Sequence, residues 1–506
     1  MFRKSLLTLL LVVLSCMTSS FTASAQSAQD YFKAYVKAME SNFNKAKQQM
    51  EKNFNSYRDS INNQFSEQLK KNWGSADLNE SKKEPVKPEP RPVIATDEPV
   101  TSNPLPFVEV EPVAPVAPKP EVVSRPAAPE VSKPVPDMIP ETRDADGPYF
   151  RFNYFGADCK VRLPEEAGYE IRVVGPDQAQ EAWSVLTSGK YDGYINDCVQ
   201  YRNKMALSDW AMYQFVVLTS KAYFGSDDSD EATLFQMYSL SQLGFRVRLG
   251  IQDGHFINLM AVAETVYGRP YMEMDGLNYY RFSDKKTGGG IRLCEFAFPN
   301  ERTASLKMEN LPLLPMNHTQ KKQIKSVAYP HLVADISVNR NLIRFFDTYP
   351  VCRWDLFAQA SLSKDLKSQL YPVLKRAIAG RSEQEAANML INFVQTGFQY
   401  KTDGEQFGRE KTFFGDEPFY YPYCDCEDRS ILYSILVGDL LGLDVVLLEY
   451  PSHIATAVRF NEDIKGDYFT INGTKYIICD PTYIGASIGK CMSTMLNKQA
   501  KVIRIR

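Results

Sequence analysis

Cys426, His453 and Asp480 are the residues of this chain whose types and spacing suit nucleophilic chemistry. Cys426 lies in the run Cys424-Asp425-Cys426-Glu427-Asp428-Arg429-Ser430, which leads into Ile431, Leu432, Ile435, Leu436 and Leu440-Leu441 and stops at Gly442. That apolar spacing predicts a helix with Cys426 in its first turn. Free backbone N–H groups at a helix N-terminus favour a thiolate and can stabilise an oxyanion. Adjacent Asp and Glu oppose a thiolate, but in a first turn they also complement the helix dipole. Beyond the helix, Val445 to Leu448, then His453 with Ala455 to Val458, then Tyr476 to Cys479 before Asp480-Pro481, read as successive strands. A thiol on a helix, an imidazole on a strand and a carboxylate at the end of the next strand supply a nucleophile, its general base and the group that orients the base. Histidine is scarce, so the choice of base is short: the others are His255, His318 and His331. His318 and His331 stand in a polar, Pro-containing connector without acid or thiol clusters and read as structural or surface residues.

The segment from about Gln384 to Lys490 resembles the transglutaminase-like superfamily of papain-type cysteine enzymes. The match rests on Asp425-Cys426-Glu427-Asp428 at the helix start, on His453-Ile454-Ala455-Thr456-Ala457-Val458 and on Asp480-Pro481-Thr482. Phrases such as Tyr400-Lys401-Thr402-Asp403 and Phe407-Gly408-Arg409-Glu410-Lys411 are similar to secreted transglutaminase-like proteins of Bacteroidetes-type bacteria. The resemblance implies an α+β fold with a papain-like, transglutaminase-like core. It also implies Cys426 as nucleophile, His453 as general base and Asp480 as the residue that orients the imidazole, with Gln406 as a candidate oxyanion donor. Many family members carry Gly where this chain has Cys424. The implied activity is cysteine-dependent hydrolysis of a peptide or protein amide through a thioester acyl-enzyme, with no cofactor and no metal. Transamidation of protein glutamine and a non-catalytic scaffold that binds peptide or protein are the alternatives.

Three other readings compete for the same residues. Cys426 could be a buried structural thiol, or half of a disulfide with Cys424 or Cys479 in an oxidising compartment. Cys424, Cys426, His453 and Cys479 or Asp480 are also allowed zinc ligand types, although Cys-x-Cys is tighter than the usual zinc-knuckle spacing.

Sliding the helix and its following strand back by 198 residues superimposes Asp428 on Asp230, Leu441-Gly442 on Leu243-Gly244, Val445 on Val247, Leu447 on Leu249 and His453 on His255. The phrase Tyr476 to Asp480 finds a counterpart in Tyr271 to Asp275. Two copies of one unit are expected. The first has Asp228 at the cysteine position, which cannot act as a thiol nucleophile, so Asp228, His255 and Asp275 describe a degenerate site.

Ahead of these copies the chain is not globular in composition. Arg3 and Lys4, the apolar run Leu6 to Leu14 and Ala23-Ser24-Ala25 predict a signal peptide over 1–25 with the mature chain starting at Gln26, hence export to the periplasm. Lipidation at Cys16 is disfavoured by Leu14. From Tyr31 to Trp73 there is neither Gly nor Pro, and Phe32, Phe43, Phe54 and Phe65 recur every 11 residues, as do Met39, Met50 and Ile61. This is a long amphipathic hendecad helix over 26–75, suited to homo-oligomerisation or to a membrane surface. Between Pro85 and Pro140 fall 16 of the 30 prolines without one glycine, which predicts an extended linker over 76–146. The expected order is completed by a degenerate domain over 147–300, a connector over 301–340 and a catalytic domain over 341–506. With 506 residues, 44% apolar content and a net charge of −3, the chain has room for several units and lacks the basic field that nucleic-acid binding requires.

Overall fold

The computed structural model describes residues 25–71, 73–83, 93–95, 100–110, 148–284, 288–451 and 453–505. Residues 1–24 of the expected signal peptide and residues 84–92, 96–99 and 111–146 of the expected linker lie outside them. The fold is mixed α+β with a long N-terminal helix. The helices are α1 Ala25–Leu69, α2 Pro176–Leu186, α3 Asp192–Lys204, α4 Asp209–Phe224, α5 Asp230–Gln242, α6 Arg340–Phe346, α7 Trp354–Gln359, α8 Lys364–Ile378, α9 Glu383–Gly397, α10 Asp403–Phe407 and α11 Cys426–Leu441. The strands up to the connector are β1 Gly74–Ala76, β2 Phe107–Val110, β3 Tyr149–Tyr154, β4 Ala157–Arg162, β5 Val247–Gln252, β6 His255–Val262, β7 Tyr271–Met274, β8 Leu277–Tyr280 and β9 Ile291–Leu293. They are followed by β10 Lys322–Lys325, β11 Val333–Ile336, β12 Gln399–Tyr400, β13 Tyr423–Cys424, β14 Asp444–Tyr450, β15 His453–Arg459, β16 Tyr468–Ile471, β17 Thr474–Cys479 and β18 Ala500–Arg504.

Two compact units result, 1–63 and 64–506. The described part of the first is helical and leaves Tyr35, Met39, Phe43, Met50 and Tyr57 exposed. Among the described residues no helix is long and apolar enough to cross a membrane. Within the second unit the end of α1 is core: Phe65 packs edge-on against Trp183 at 4.5 Å between ring centroids and also against Phe296 and Phe298. Leu69 is fully buried, and Trp73 donates its indole N–H to the Leu69 carbonyl. The C-terminal end of the aromatic stripe is therefore covered within the chain itself.

The second unit holds two six-stranded sheets of the same design. One runs β1-β9-β5-β6-β8-β7 and the other β2-β18-β14-β15-β17-β16. Each central hairpin has the same register, Gln252 opposite His255 and Tyr450 opposite His453. In each, one helix lies on the central pair, α5 on β5 and β6, and α11 on β14 and β15. Strands such as Val-Val-Leu-Leu in β14 are buried because both faces are covered, one by α11 and the other by a cluster of Leu448, Ala455, Phe469, Tyr476 and Leu105.

Leu105 comes from the expected linker, which departs from the extended reading: Phe107–Val110 pairs parallel with β18, and Ala95 donates to the Ile484 carbonyl. The helix expected over 26–75 ends earlier, at Leu69, and Gly74–Ala76 pairs antiparallel with β9. Asp467 Oδ1 accepts from Thr101 Oγ1 at 2.7 Å and from the Asn103 N–H at 3.0 Å. The prolines tolerate this because the segment runs along a sheet edge. The Leu105 N–H points inward to Tyr468, while Pro104 and Pro106 occupy the alternate positions, where an edge strand needs no donor. Both expected catalytic-type domains thus fall in one compact unit, each sheet with an edge strand supplied from the front of the chain.

Candidate active site

The nucleophile position is set by the start of α11. Asp425 and Asp428 form a reciprocal capping box, with the Asp425 N–H donating to Asp428 Oδ2 at 3.2 Å, so Cys426 is the first helical residue. Asp428 Oδ1 accepts from the Phe413 N–H, which ties the preceding loop to the helix start. Gly442, in the left-handed region at φ 68°, ends the helix and lets the chain turn into β14.

His453 opens β15 after a tight connection from β14, and Asp480 follows the last residue of β17. Thr456 on β15 lies opposite Cys479, and its hydroxyl donates to the Cys479 carbonyl, which fixes the two strand ends against each other. His453 Nε2 lies 2.8 Å from Asp480 Oδ2. The other carboxylate oxygen accepts from the N–H groups of Thr482 at 2.8 Å and Tyr483 at 3.2 Å, so the carboxylate cannot swing away. From α9, the Gln395 amide N–H₂ reaches the carbonyls of Asp480, Tyr483 and Ala486. Arg429, fully buried on α11, donates to the carbonyls of Gln395 and Phe398 and locks α9 to the nucleophile helix.

Since a carboxylate only accepts, His453 carries its proton on Nε2 and leaves Nδ1 as the basic nitrogen. Nδ1 is buried and makes no hydrogen bond. Cys426 lies close enough to the ring to act on it, although its thiol donates to Glu427 Oε2 at 3.3 Å. Burial alone would lower the imidazole, but the charge and hydrogen bond of Asp480, assisted by Cys426, push His453 up to about 10. Cys426, His453 and Asp480 are all buried, at 2%, 3% and 3% exposure, away from bulk water.

The loop between β12 and β13 is tied to the start of α11 and held by buried charges. Lys411 Nζ reaches Glu417 Oε1 at 2.6 Å and Asp347 Oδ1 at 2.9 Å, and Tyr421 donates to Asp347. Burial, opposed by Lys411, pushes Glu417 up to about 7, and burial, opposed by hydrogen bonds from Ser363, pushes Asp416 up to about 6. Gln406 has a different place from the one expected. Its amide both donates to the Tyr423 carbonyl and accepts from the Tyr423 N–H, each at 3.2 Å, so it braces the strand before Cys426 with one of its two amide N–H bonds.

Cation chemistry has its own candidates here. Ligand atoms of Asp403, Asp425 and Asp428 lie within 4.8 Å of one another, as do those of Asp403, Glu410 and Glu427. Asp403 Oδ2 and Asp428 Oδ1 accept from the N–H groups of Lys411 and Phe413, a role in ordering the loop. The thiols considered for zinc do not converge: Cys424 turns to the Gln399 carbonyl and Cys479 to the Ile477 carbonyl. All eight described cysteines are free thiols.

In the first sheet, His255 Nδ1 meets Asp230 Oδ2 at 3.1 Å, and Asp230 Oδ1 accepts from the Phe256 N–H. Asp228 is exposed, just before α5, and accepts from the Ser226 hydroxyl. Asp275 is not the counterpart of Asp480. It sits at the tip of the β7–β8 hairpin at φ 54°, as Asn472 does at φ 50° between β16 and β17. The pairs Met260–Tyr280 and Val458–Ile477 are equivalent, and three residues beyond each second partner stand Ser283 and Asp480. The phrase Tyr271 to Asp275 imitates Tyr476 to Asp480 because the two arms of a hairpin have similar strand composition. Compared with protein-family models, with curated proteins and with solved structures, the chain matches none.

Residues that carried no catalytic signal in the sequence complete the centre: Gln395, which holds the Asp480 turn, Arg429, which bridges two helices, and Glu427, which accepts the thiol. Of these only Glu427 was marked, by its place beside Cys426.

Proposed function

We propose that this protein is a cysteine-dependent amide hydrolase with a papain-like, transglutaminase-like core. The observation that carries the reading is the Asp480-bound His453, whose free Nδ1 lies beside a thiol at a helix N-terminus. Cys426 Sγ attacks an amide carbonyl while its proton passes to His453 Nδ1. The C–S bond forms, and the carbonyl π pair moves to oxygen. Collapse breaks the C–N bond, and His453 returns the proton to the leaving amine. Water, deprotonated by the same nitrogen, then cleaves the thioester and regenerates the thiol. An amine in place of water would make the same centre a transamidase.

The first sheet serves as a degenerate copy, since Asp228 lacks a thiol and His255 is spent on Asp230. Export to the periplasm follows from the charged and apolar N-terminus, and self-association from the exposed aromatic residues of α1. Burial of Cys426 and its bond to Glu427 favour a second reading, a binding scaffold in which the thiol is only structural. Acylation of Cys426 by p-nitrophenyl acetate, followed by mass spectrometry, separates the two. An acyl-enzyme on Cys426 supports the hydrolase, and an unmodified Cys426 supports the scaffold.

A further inference from the structure

An acyl-transfer centre needs a donor for the oxyanion, and the Gln406 amide is oriented by two hydrogen bonds to the Tyr423 backbone. Tyr400 lies near enough to Cys426 for the two to act on each other. The short parallel ladder of β12 and β13 places Tyr400 opposite Cys424, two residues before Cys426. Its hydroxyl is buried and has no hydrogen-bond partner. The ring is held from behind by Arg429, whose guanidinium carbon lies 5.3 Å from the ring centroid and whose nitrogens are anchored on the carbonyls of Gln395 and Phe398. After burial, Cys426 is the group that acts most strongly on the Tyr400 phenol, raising its pKa, so the hydroxyl remains a donor throughout the accessible pH range.

Resting on the hydrolase reading, we propose that the Tyr400 hydroxyl donates to the oxyanion formed when Cys426 attacks a carbonyl, acting together with the Cys426 backbone N–H at the start of α11. A phenolic O–H left unpaired in a buried site is a donor that waits for an acceptor, and a backbone N–H in the first helical turn has no intrahelical partner. As the C–S bond forms, the electron pair displaced onto oxygen meets these two donors, and no proton need move to Tyr400.

The test compares two reactions of Cys426 in wild-type protein and in Tyr400→Phe. The ring and its contact with Arg429 are kept, and no existing hydrogen bond is lost, so the variant folds as the parent does, checked by its thermal transition. Alkylation by iodoacetamide is a displacement at a saturated carbon and forms no oxyanion. Acylation by p-nitrophenyl acetate does. Acylation should slow by about 10²- to 10³-fold, with alkylation changed by less than about threefold. Unchanged acylation overturns the proposal, as does an equal loss of both reactions, which would make Tyr400 a residue that positions the thiol. If wild-type Cys426 alkylates but is never acylated, the hydrolase reading falls and the role of Tyr400 falls with it.

Discussion

His453 meets Asp480 through Nε2, 2.8 Å from Oδ2, and so turns Nδ1, the nitrogen with no other partner, to the side of Cys426. Removing the carboxylate without changing its shape tests this relationship. Asp480→Asn should lower kcat/KM by about 10³- to 10⁴-fold, because the amide permits the wrong tautomer and no longer supports an imidazolium. Cys426→Ala should remove turnover and leave stability within about 1 kcal/mol, as read from denaturant melts.

Stability should depend on pH in a direction set by the same pair. The folded value of His453 is raised to about 10 from an ordinary value of 6.5. Its contribution is therefore fully present below pH 6.5 and is lost as pH rises through about 10. His453→Gln should flatten that part of the stability profile. Glu417 acts in the acid range: its folded pKa of about 7 exceeds the ordinary 4.5, so the folded state holds the extra proton and stability falls between these values as pH rises. Glu417→Gln should flatten that segment alone. Urea melts across pH 4 to 10 check both.

The Lys411 clamp on the loop between β12 and β13 gives a larger effect. Lys411→Met leaves Glu417 buried without its cation and should cost about 3 to 5 kcal/mol at pH 8, less at pH 5, where Glu417 is protonated. Equal losses at both pH values would show that packing, not charge, is what Lys411 supplies.

At the front of the chain, two phenylalanines of one stripe should behave differently. Phe65 is buried against Trp183 and Phe296, and Phe65→Ala should destabilise the body by about 3 to 5 kcal/mol. Phe43 is 68% exposed, and Phe43→Ala should change monomer stability by less than about 0.5 kcal/mol while weakening any oligomer seen in sedimentation. Deletion of residues 26–63 should leave a folded body, whereas a deletion carried through Trp73 should not.

The places of Cys426, His453 and Asp480 were legible because each stands at the edge of an element with its own local signal: a capped helix start at Cys426, a strand start at His453 and a strand end at Asp480. Partners that reach the site through tertiary packing, such as Gln395 and Tyr400, have no such local signal. Asp275 was misplaced because a four-residue strand phrase does not say which arm of a hairpin it forms. The edge strands within the Pro-rich region were hidden because proline at alternate edge positions has the same composition as proline in a free spacer.

Alkylation mapping at pH 7 bears most directly on the claim that Cys426 and His453 work as a nucleophile and its base. Burial pushes Cys159 up to about 11 and Cys294 and Cys491 up to about 12, and it raises Cys198, Cys352, Cys424 and Cys479 as well. With limiting iodoacetamide on the native protein, mass spectrometry should find the label on Cys426 ahead of these seven thiols, and His453→Gln should suppress it. Label spread over the other cysteines with Cys426 spared, or labelling of Cys426 at the same rate without His453, would contradict the account.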